Sequence, residues 1–282
     1  EAIKLGEETL QFARDTLGPE HETTLAVTNN LGLACNGAGQ YERSIALQEQ
    51  TLELARKIHG PEHPETLTAM LNLGGAYAGA GRDQEAVNLQ DAALTLMRKV
   101  RGPEHPATLA CLNNLAVTRY GAGQTREAAE LWEEALQIKV KVLGPTHPST
   151  AITMNCLALV KNTAGDFQRA LELSEASLDI CRKQLGPRHP KTLDTMSVRA
   201  GILMTAGNVN SAVALFEELL PIRREVSGPT HDKTLSDITN LAVAYGKVGR
   251  HDEALKLGEE VLHLLRQSPT SDSPDKRAKI RV

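Results

Sequence analysis

The chain has 282 residues, of which 41% are apolar, so it has enough material to bury a sizeable core. Its 35 acidic residues outnumber 31 Lys and Arg, giving a formal net charge of -4 and no basic field for nucleic acid or an anionic membrane. No apolar run reaches membrane-spanning length, and the four Cys lack C-x-x-C spacing, so we expect no nucleic-acid or membrane partner, reduced thiols and a cytoplasmic location.

A Gly-Pro pair recurs every 42 residues, and a His follows two residues after each Pro. The pairs begin at Gly18, Gly60, Gly102, Gly144, Gly186 and Gly228. A fixed period of this length is typical of stacked units that bury their apolar faces only against their neighbours. We therefore predict an all-α fold, a right-handed α-solenoid of tandem helix-turn-helix repeats over residues 1–267.

The predicted parts follow in chain order. Residues 1–17 form a lone second helix of a partial repeat, and complete repeats follow at 18–59, 60–101, 102–143, 144–185, 186–227 and 228–267. The remaining residues, 268–282, are rich in Ser, Pro and charge, which favours a disordered tail.

Each repeat is expected to contain two helices, A and B. In repeat 60–101, Pro64 suits the first turn of helix A, and Gly81 suits the end of that helix because it tolerates positive φ. Helix B then runs from about residue 83 to 100, where the next Gly-Pro pair ends it.

Two columns of helix B predict the core. One holds small residues where the two helices approach most closely, at Ser44, Ala86, Ala128, Ala170, Ala212 and Ala254. The other holds Leu52, Leu94, Leu136, Leu178, Leu220 and Leu262. Pro221 interrupts one helix B, so we expect a kink or break between Glu217 and Pro221.

The string Leu73-Gly74-Gly75-Ala76-Tyr77, followed by small residues at Ala86 and Ala93, resembles the tetratricopeptide repeat signature. The 42-residue period and the strings GPEHPETL and LNNLA are similar to the longer repeats of kinesin light chains. The resemblance implies a protein-binding array, with A helices lining the concave side of a superhelix. Similar arrays occur as sensor or scaffold regions of signalling NTPases and Ser/Thr kinases.

The implied groove is the A-helix face opposite the Leu73/Tyr77 stripe. Asn side chains on that face can both donate to and accept from a peptide backbone, so we expect a peptide or protein ligand held mainly by Asn29, Asn113 and Asn155. The full candidate set is Asn29, Asn36, Asn72, Asn113, Val117, Tyr120, Asn155, Leu159, Asn162, Met204 and Thr239.

Two alternatives stay open. The Asn side chains could only bridge adjacent A helices, or the array could be a regulatory or self-association module whose solenoid ends make the contacts. Arg119, Lys161 and Arg199 lie on three successive A helices and would form a basic spot if they turned outward together, although their stems can also snorkel from the core edge.

The sequence predicts no catalytic residue, metal site or cofactor. No phosphate-binding, zinc-protease or nucleophile-elbow motif is present. The repeated His residues lie one per repeat, too far apart to share a zinc ion, so a loop-fixing role is expected for them. We therefore expect a non-catalytic binding scaffold.

Overall fold

The computed structural model describes residues 1–267, and within them it contains thirteen α-helices and no strand. The predicted tail at 268–282 lies outside the described residues. The helices are α1 (Ala2–Leu17), α2 (Glu22–Gly37), α3 (Tyr41–His59), α4 (Pro64–Gly79), α5 (Asp83–Arg101), α6 (Pro106–Gly121), α7 (Thr125–Leu143), α8 (Pro148–Thr163), α9 (Phe167–Leu185), α10 (Pro190–Thr205), α11 (Val209–Ser227), α12 (Asp232–Lys247) and α13 (His251–Gln267).

Even-numbered helices are the A helices and odd-numbered helices are the B helices. The two run antiparallel within a pair, since Ser44 Oγ donates to the Gly32 carbonyl at 2.8 Å and Gln48 Nε2 donates to the Asn29 carbonyl at 3.1 Å. The turn between them contains a glycine with positive φ, as at Gly81, where φ is 73°. The all-α repeat fold predicted from the 42-residue period is confirmed.

A threonine fixes the connection from each B helix to the next A helix. Its buried hydroxyl donates to the carbonyl of the connector glycine six residues earlier, as Thr66 does to Gly60 at 2.7 Å. The same bond occurs at Thr24, Thr108, Thr150, Thr192 and Thr234. Because it satisfies a carbonyl that leaves the helix, this bond holds the Gly-Pro connector in one conformation.

The chain forms two compact units, residues 1–138 and the residues from Lys139 onward. In unit 1 the largest core cluster lies between α3 and α6, around Leu67, Leu112 and Leu115, none of which is exposed. In unit 2 a second cluster lies between α9 and α12, around Met196, Phe216 and Ile238, which are equally buried. Within each unit a helix packs on its sequence neighbours, and each A helix also meets the next A helix.

The predicted core columns are mostly buried. Ser44, Ala86, Ala128, Ala170 and Ala212 have no exposed surface, and Leu52, Leu94, Leu178 and Leu220 are at most 5% exposed. Leu262 is an exception: it is 40% exposed, so its prediction as a core residue is wrong. It lies on α13, and no further helix packs against that helix among residues 1–267.

Helix α11 runs without interruption through Pro221, so the predicted break between Glu217 and Pro221 is wrong, while the kink expected as its alternative stays a prediction. The side chain of Pro221 is exposed, and its ring therefore faces solvent rather than the core. Leu219 and Leu220 on the same turn are buried, and their packing holds the helix together despite the missing backbone donor.

Candidate functional site on the A helices

The predicted binding residues occupy the A helices of both units. In unit 1, Val117 is 51% exposed, while half-buried positions are held by Asn29, Asn36, Asn72, Asn113 and Tyr120. In unit 2, Thr239 is exposed, and half-buried positions are held by Asn155, Leu159, Asn162 and Met204. Each unit therefore presents amides and apolar groups to solvent along its A helices.

A recess of about 520 Å³ opens between α2 and α4 in unit 1. Ala26, Asn29 and Thr68 line it, all three on the face expected to form the groove. Two carboxylates, Glu22 and Glu65, also line this recess. Its wall thus combines hydrogen-bonding groups with a small apolar surface.

Three of the candidate amides, Asn29, Asn72 and Asn162, take part in bridges between neighbouring A helices. Asn72 Nδ2 donates to Asn29 Oδ1 at 2.8 Å, which joins α4 to α2, and Thr205 Oγ1 donates to Asn162 Oδ1 at 2.5 Å, which joins α10 to α8. This is the bridging role that the sequence left open for the amides. Each bridge uses one amide oxygen and leaves the Nδ2 of Asn29 and of Asn162 for another acceptor.

Two other candidate amides have different surroundings. Asn113 Oδ1 accepts from the indole Nε1 of Trp132 at 3.1 Å, and the Trp132 ring packs edge-on against Tyr120 with centroids 6.2 Å apart. The Oδ1 of Asn155 is buried and has no hydrogen-bond partner among residues 1–267. An unmet buried acceptor costs about 1–3 kcal/mol, so a bound donor that this oxygen meets by rotation of the half-buried side chain would stabilise the site.

Acidic residues on B helices bond to the following A helix at a constant spacing of 28 residues. Tyr77 donates to Glu49 and Tyr245 donates to Glu217, each at 2.8 Å. Arg119 stands where those repeats have Tyr, and its Nη2 donates to Asp91 at 2.5 Å. The Arg119 guanidinium therefore makes the hydrogen bond that the tyrosine hydroxyl makes in those repeats, but it supplies no aromatic ring.

The structure turns two of the three basic residues away from a shared surface. Arg119 is held by Asp91, and its side chain is 20% exposed. Arg199 donates to the Leu171 carbonyl at 3.1 Å and lies 3.4 Å from Glu175, with 16% exposure. Snorkelling from the core edge would place the charged groups in water. Neither arginine does this, because each charge is held by neighbouring acceptors.

The six repeated His residues cap the A helices. The Nδ1 of each accepts a hydrogen bond from the backbone N–H two residues later, at 3.1 to 3.3 Å. They are His21, His63, His105, His147, His189 and His231. The loop-fixing role expected for them is thus a helix N-cap, which the sequence did not specify.

One group of three metal-ligand side chains lies together among residues 1–267, at His59, His63 and Glu65. His59 Nε2 is 2.9 Å from Glu65 Oε2. The two imidazoles stack face to face with centroids 4.4 Å apart, and the Nδ1 of His63 is already used as the cap. Stacked rings direct their in-plane lone pairs side by side, so they do not converge on one ion.

A buried cluster of charged residues in unit 2 was not singled out by the sequence. Arg223 and Asp237 are each 1% exposed, and Arg223 Nε donates to Asp237 Oδ2 at 2.9 Å. Arg223 Nη1 also donates to Asp194 Oδ1 at 2.8 Å, and Lys233 donates to the other oxygen of Asp194 at 2.7 Å. A comparison of repeats would have found it, since the residues 42 positions from Arg223 and Asp237 are Cys181 and Thr195.

The pKa values of the two buried carboxyls shift in opposite directions. Burial raises the pKa of Asp237 above its usual value, despite hydrogen bonds from Ser197 and Arg223. Burial also acts to raise the pKa of Asp194, but hydrogen bonds from Lys233 and Arg223 outweigh it and the pKa is lowered.

Among residues 1–267, no helix is both long and apolar enough to cross a membrane. A search of curated protein sequences gives no significant match.

Three solved structures share this arrangement of helices. A Podosopora anserina protein, described as a kinesin light chain with nearly identical TPR-like repeats, is 30% identical over 73% of this chain and 98% of its own, with a TM-score of 0.63. BtubC (BKLC) from P. vanneervenii is 20% identical over 79% of this chain and 90% of its own, with a TM-score of 0.68. A Rap protein complexed with Competence and Sporulation Factor is 11% identical over 92% of this chain and 68% of its own, with a TM-score of 0.63.

The sequence profile of the tetratricopeptide repeat matches residues 1–57, 26–99, 79–139, 149–203 and 197–267. These matches cover nearly all of the described residues, and the first of the three structures carries repeats of the kinesin light chain type. The chain therefore belongs to the tetratricopeptide repeat family.

Proposed function

We propose that the chain is a non-catalytic scaffold that binds a peptide or a peptide segment of a protein in the groove expected along its A helices. The half-buried side chain of Asn155, whose Oδ1 has no hydrogen-bond partner among residues 1–267, is the observation that carries this proposal. A backbone N–H of an extended peptide is a donor of the right kind for it, and the neighbouring Leu159 adds an apolar contact.

Further support comes from unit 1 and from the family. The recess between α2 and α4 is lined by Asn29 and Thr68, which offer donors and acceptors above an apolar floor. Tetratricopeptide repeat arrays are in general protein-interaction scaffolds, and the similar Rap protein holds a bound factor. The four cysteines form no disulfide, which suits a reducing compartment such as the cytoplasm.

Selection from a random dodecapeptide display library tests the proposal. Peptides selected on the wild type should bind Asn155→Leu at least about 10-fold more weakly, because a hydrogen bond is lost; Leu71 is the residue at the equivalent position of α4. Asn210→Ala, on an exposed part of α11, serves as the control and should bind normally. Failure to select any peptide, or equal binding to Asn155→Leu, would contradict the proposal.

A second candidate function is self-association as a regulatory module of a larger signalling NTPase or Ser/Thr kinase. Its support is the apolar surface of α1, where Phe12 is 70% and Leu5 64% exposed. Light scattering distinguishes the two functions: self-association predicts a mass that rises with concentration and falls back to the monomer in a Phe12→Ser variant.

A further inference from the structure

Arg223 and Asp237 stand at positions that the other repeats fill with uncharged side chains, except for Lys139, which donates to the Thr153 hydroxyl. The residues at multiples of 42 positions from Arg223 are Ala13, Ala55, Met97, Lys139, Cys181 and Leu265. The corresponding series for Asp237 is Val27, Ala69, Cys111, Thr153 and Thr195. The same helix packing therefore forms elsewhere in this chain without a buried ion pair.

A buried ion pair contributes little net free energy to the stability of a fold. Removing two charges from water often costs as much free energy as their attraction returns, and apolar residues of similar volume are frequently as stable or more so. Departures from a local packing rule tend to occur at functional sites. We therefore expect the Arg223–Asp237 pair between α11 and α12 to have a role other than stabilising the contact of these helices.

Each carboxylate oxygen of Asp194 and Asp237 already accepts one hydrogen bond, whereas several N–H donors of Arg223 have no acceptor among residues 1–267. Both oxygens of Asp237 are occupied, by Arg223 Nε at 2.9 Å and by Ser197 Oγ at 2.6 Å. Both oxygens of Asp194 are occupied as well, by Arg223 and Lys233. The Arg223 guanidinium has five N–H donors, of which two make these bonds, and no other acceptor engages it among residues 1–267.

Arg223 also lines an open recess on the A-helix face of unit 2. The recess has a volume of about 400 Å³, and Arg223 and Asp237 form its buried part. The other lining residues are Asp194, Ser197, Val198, Asp232, Lys233 and Ser236. Two positive and three negative groups thus surround it, most of them already paired with one another.

This charge pattern favours a neutral polar occupant. A carboxylate would approach three acidic residues, and a cation would approach a guanidinium and an ammonium. An amide carbonyl suits the site, because it accepts from fixed N–H donors without bringing a charge into the recess.

We propose that the recess between α10 and α12 is a subsite for an amide group of a peptide ligand, whose carbonyl oxygen accepts from the Arg223 guanidinium. The amide comes from an Asn or Gln side chain or from the peptide main chain. This subsite rests on the proposed function, and it names the chemistry that one part of the A-helix face recognises.

The test separates binding from stability by replacing both members of the ion pair. In the double variant Arg223→Met and Asp237→Thr, each new residue is one that the chain already places in the same column, at Met97 and at Thr195. The threonine hydroxyl can donate to the carbonyl four residues earlier, as Thr195 does to Lys191 at 2.9 Å. We expect a melting temperature equal to or above that of the wild type.

Dodecapeptides selected on the wild type should bind the double variant at least about 10-fold more weakly, since charged hydrogen bonds are lost. Arg223→Lys, which copies Lys139 and removes the planar fork, should also weaken binding while retaining the charge. The matched control is Arg182→Ala with Glu218→Ala, an exposed ion pair of unit 2 outside the recess, which should bind normally.

The two amide sources give different results. A side-chain amide predicts a shared Asn or Gln in the selected peptides, whose replacement by Ala weakens binding to the wild type but not further to the double variant. A main-chain amide predicts no such preference. Equal binding to the wild type and both Arg223 variants overturns the subsite alone, whereas failure to select any peptide overturns the proposed function and the subsite with it.

Discussion

Replacing Pro221 with Gln should stabilise α11. Gln137 occupies the equivalent position of α7, and the side chain is exposed in both helices, so no packing is lost. The substitution restores a backbone N–H that can donate to the Glu217 carbonyl and removes the ring that crowds that carbonyl.

The magnitude follows from two opposing terms. Proline in a helix interior is about 3 kcal/mol less favourable than a good helix former. Replacing proline also makes the unfolded chain more flexible, which lowers the free energy of unfolding by about 0.4–1 kcal/mol. The difference is about 2–2.6 kcal/mol, and because α11 already accommodates the proline we expect the lower value, about 2 kcal/mol of net stabilisation.

Urea unfolding and amide hydrogen exchange within α11 measure this effect. Exchange is needed beside the global transition because stacked repeats need not unfold as one unit. The matched control is Asp179→Pro at the same exposed position of α9, which should destabilise by about 3 kcal/mol. An unchanged or lower stability of the Pro221→Gln variant would refute the reasoning.

Two further predictions concern packing and charge. Gly74→Ala would place its Cβ 2.7 Å from Gln90 Cγ and should destabilise by about 1–3 kcal/mol in urea unfolding. Adding Gln90→Ser should recover the loss, because α8 and α9 already combine Ala158 with Ser174 at the equivalent positions. Gly75→Ala is the control and should be tolerated, since its Cβ would meet nothing within 4 Å. An equal loss with and without the serine would contradict the clash. Hydrogen bonds from Tyr245 and then Arg250 lower the pKa of Glu217, so its stabilisation is present above the unfolded pKa of about 4.3 and is lost as the pH falls through the folded value. Glu217→Gln should therefore cost about 0.5 kcal/mol at pH 7, since the side chain is 41% exposed, and progressively less in acid; a deficit independent of pH would exclude this origin.

Much of the fold was predictable because each repeat carries local signals. The proline at the first turn of α4 and the glycine after it define the limits of that helix without reference to the rest of the chain. The exposure of Leu262 was not predictable from its column, because burial depends on whether another helix packs over α13. The continuity of α11 likewise depends on the packing of Leu219 and Leu220, which outweighs a local rule about proline.

The candidate site was less predictable, since side-chain pairing between helices depends on rotamers. The bond from Asn72 to Asn29 joins residues 43 apart, and the sequence shows only that both amides belong to A helices. The pairing of Arg223 with Asp237 could have been found by comparing columns, because a charge in an apolar column must have a partner nearby.

Because each helix packs only on its neighbours, whole repeats can be gained or lost without disturbing the rest of a unit. Within a unit, every contact that a helix pair makes reaches only the adjoining pair, and each junction is closed by the same threonine and glycine. Loss or duplication of a whole 42-residue segment would therefore leave equivalent surfaces facing each other, whereas an insertion of any other size inside a helix would shift them out of register. Lineages carrying such a chain can accordingly extend or shorten the array in discrete steps of one repeat.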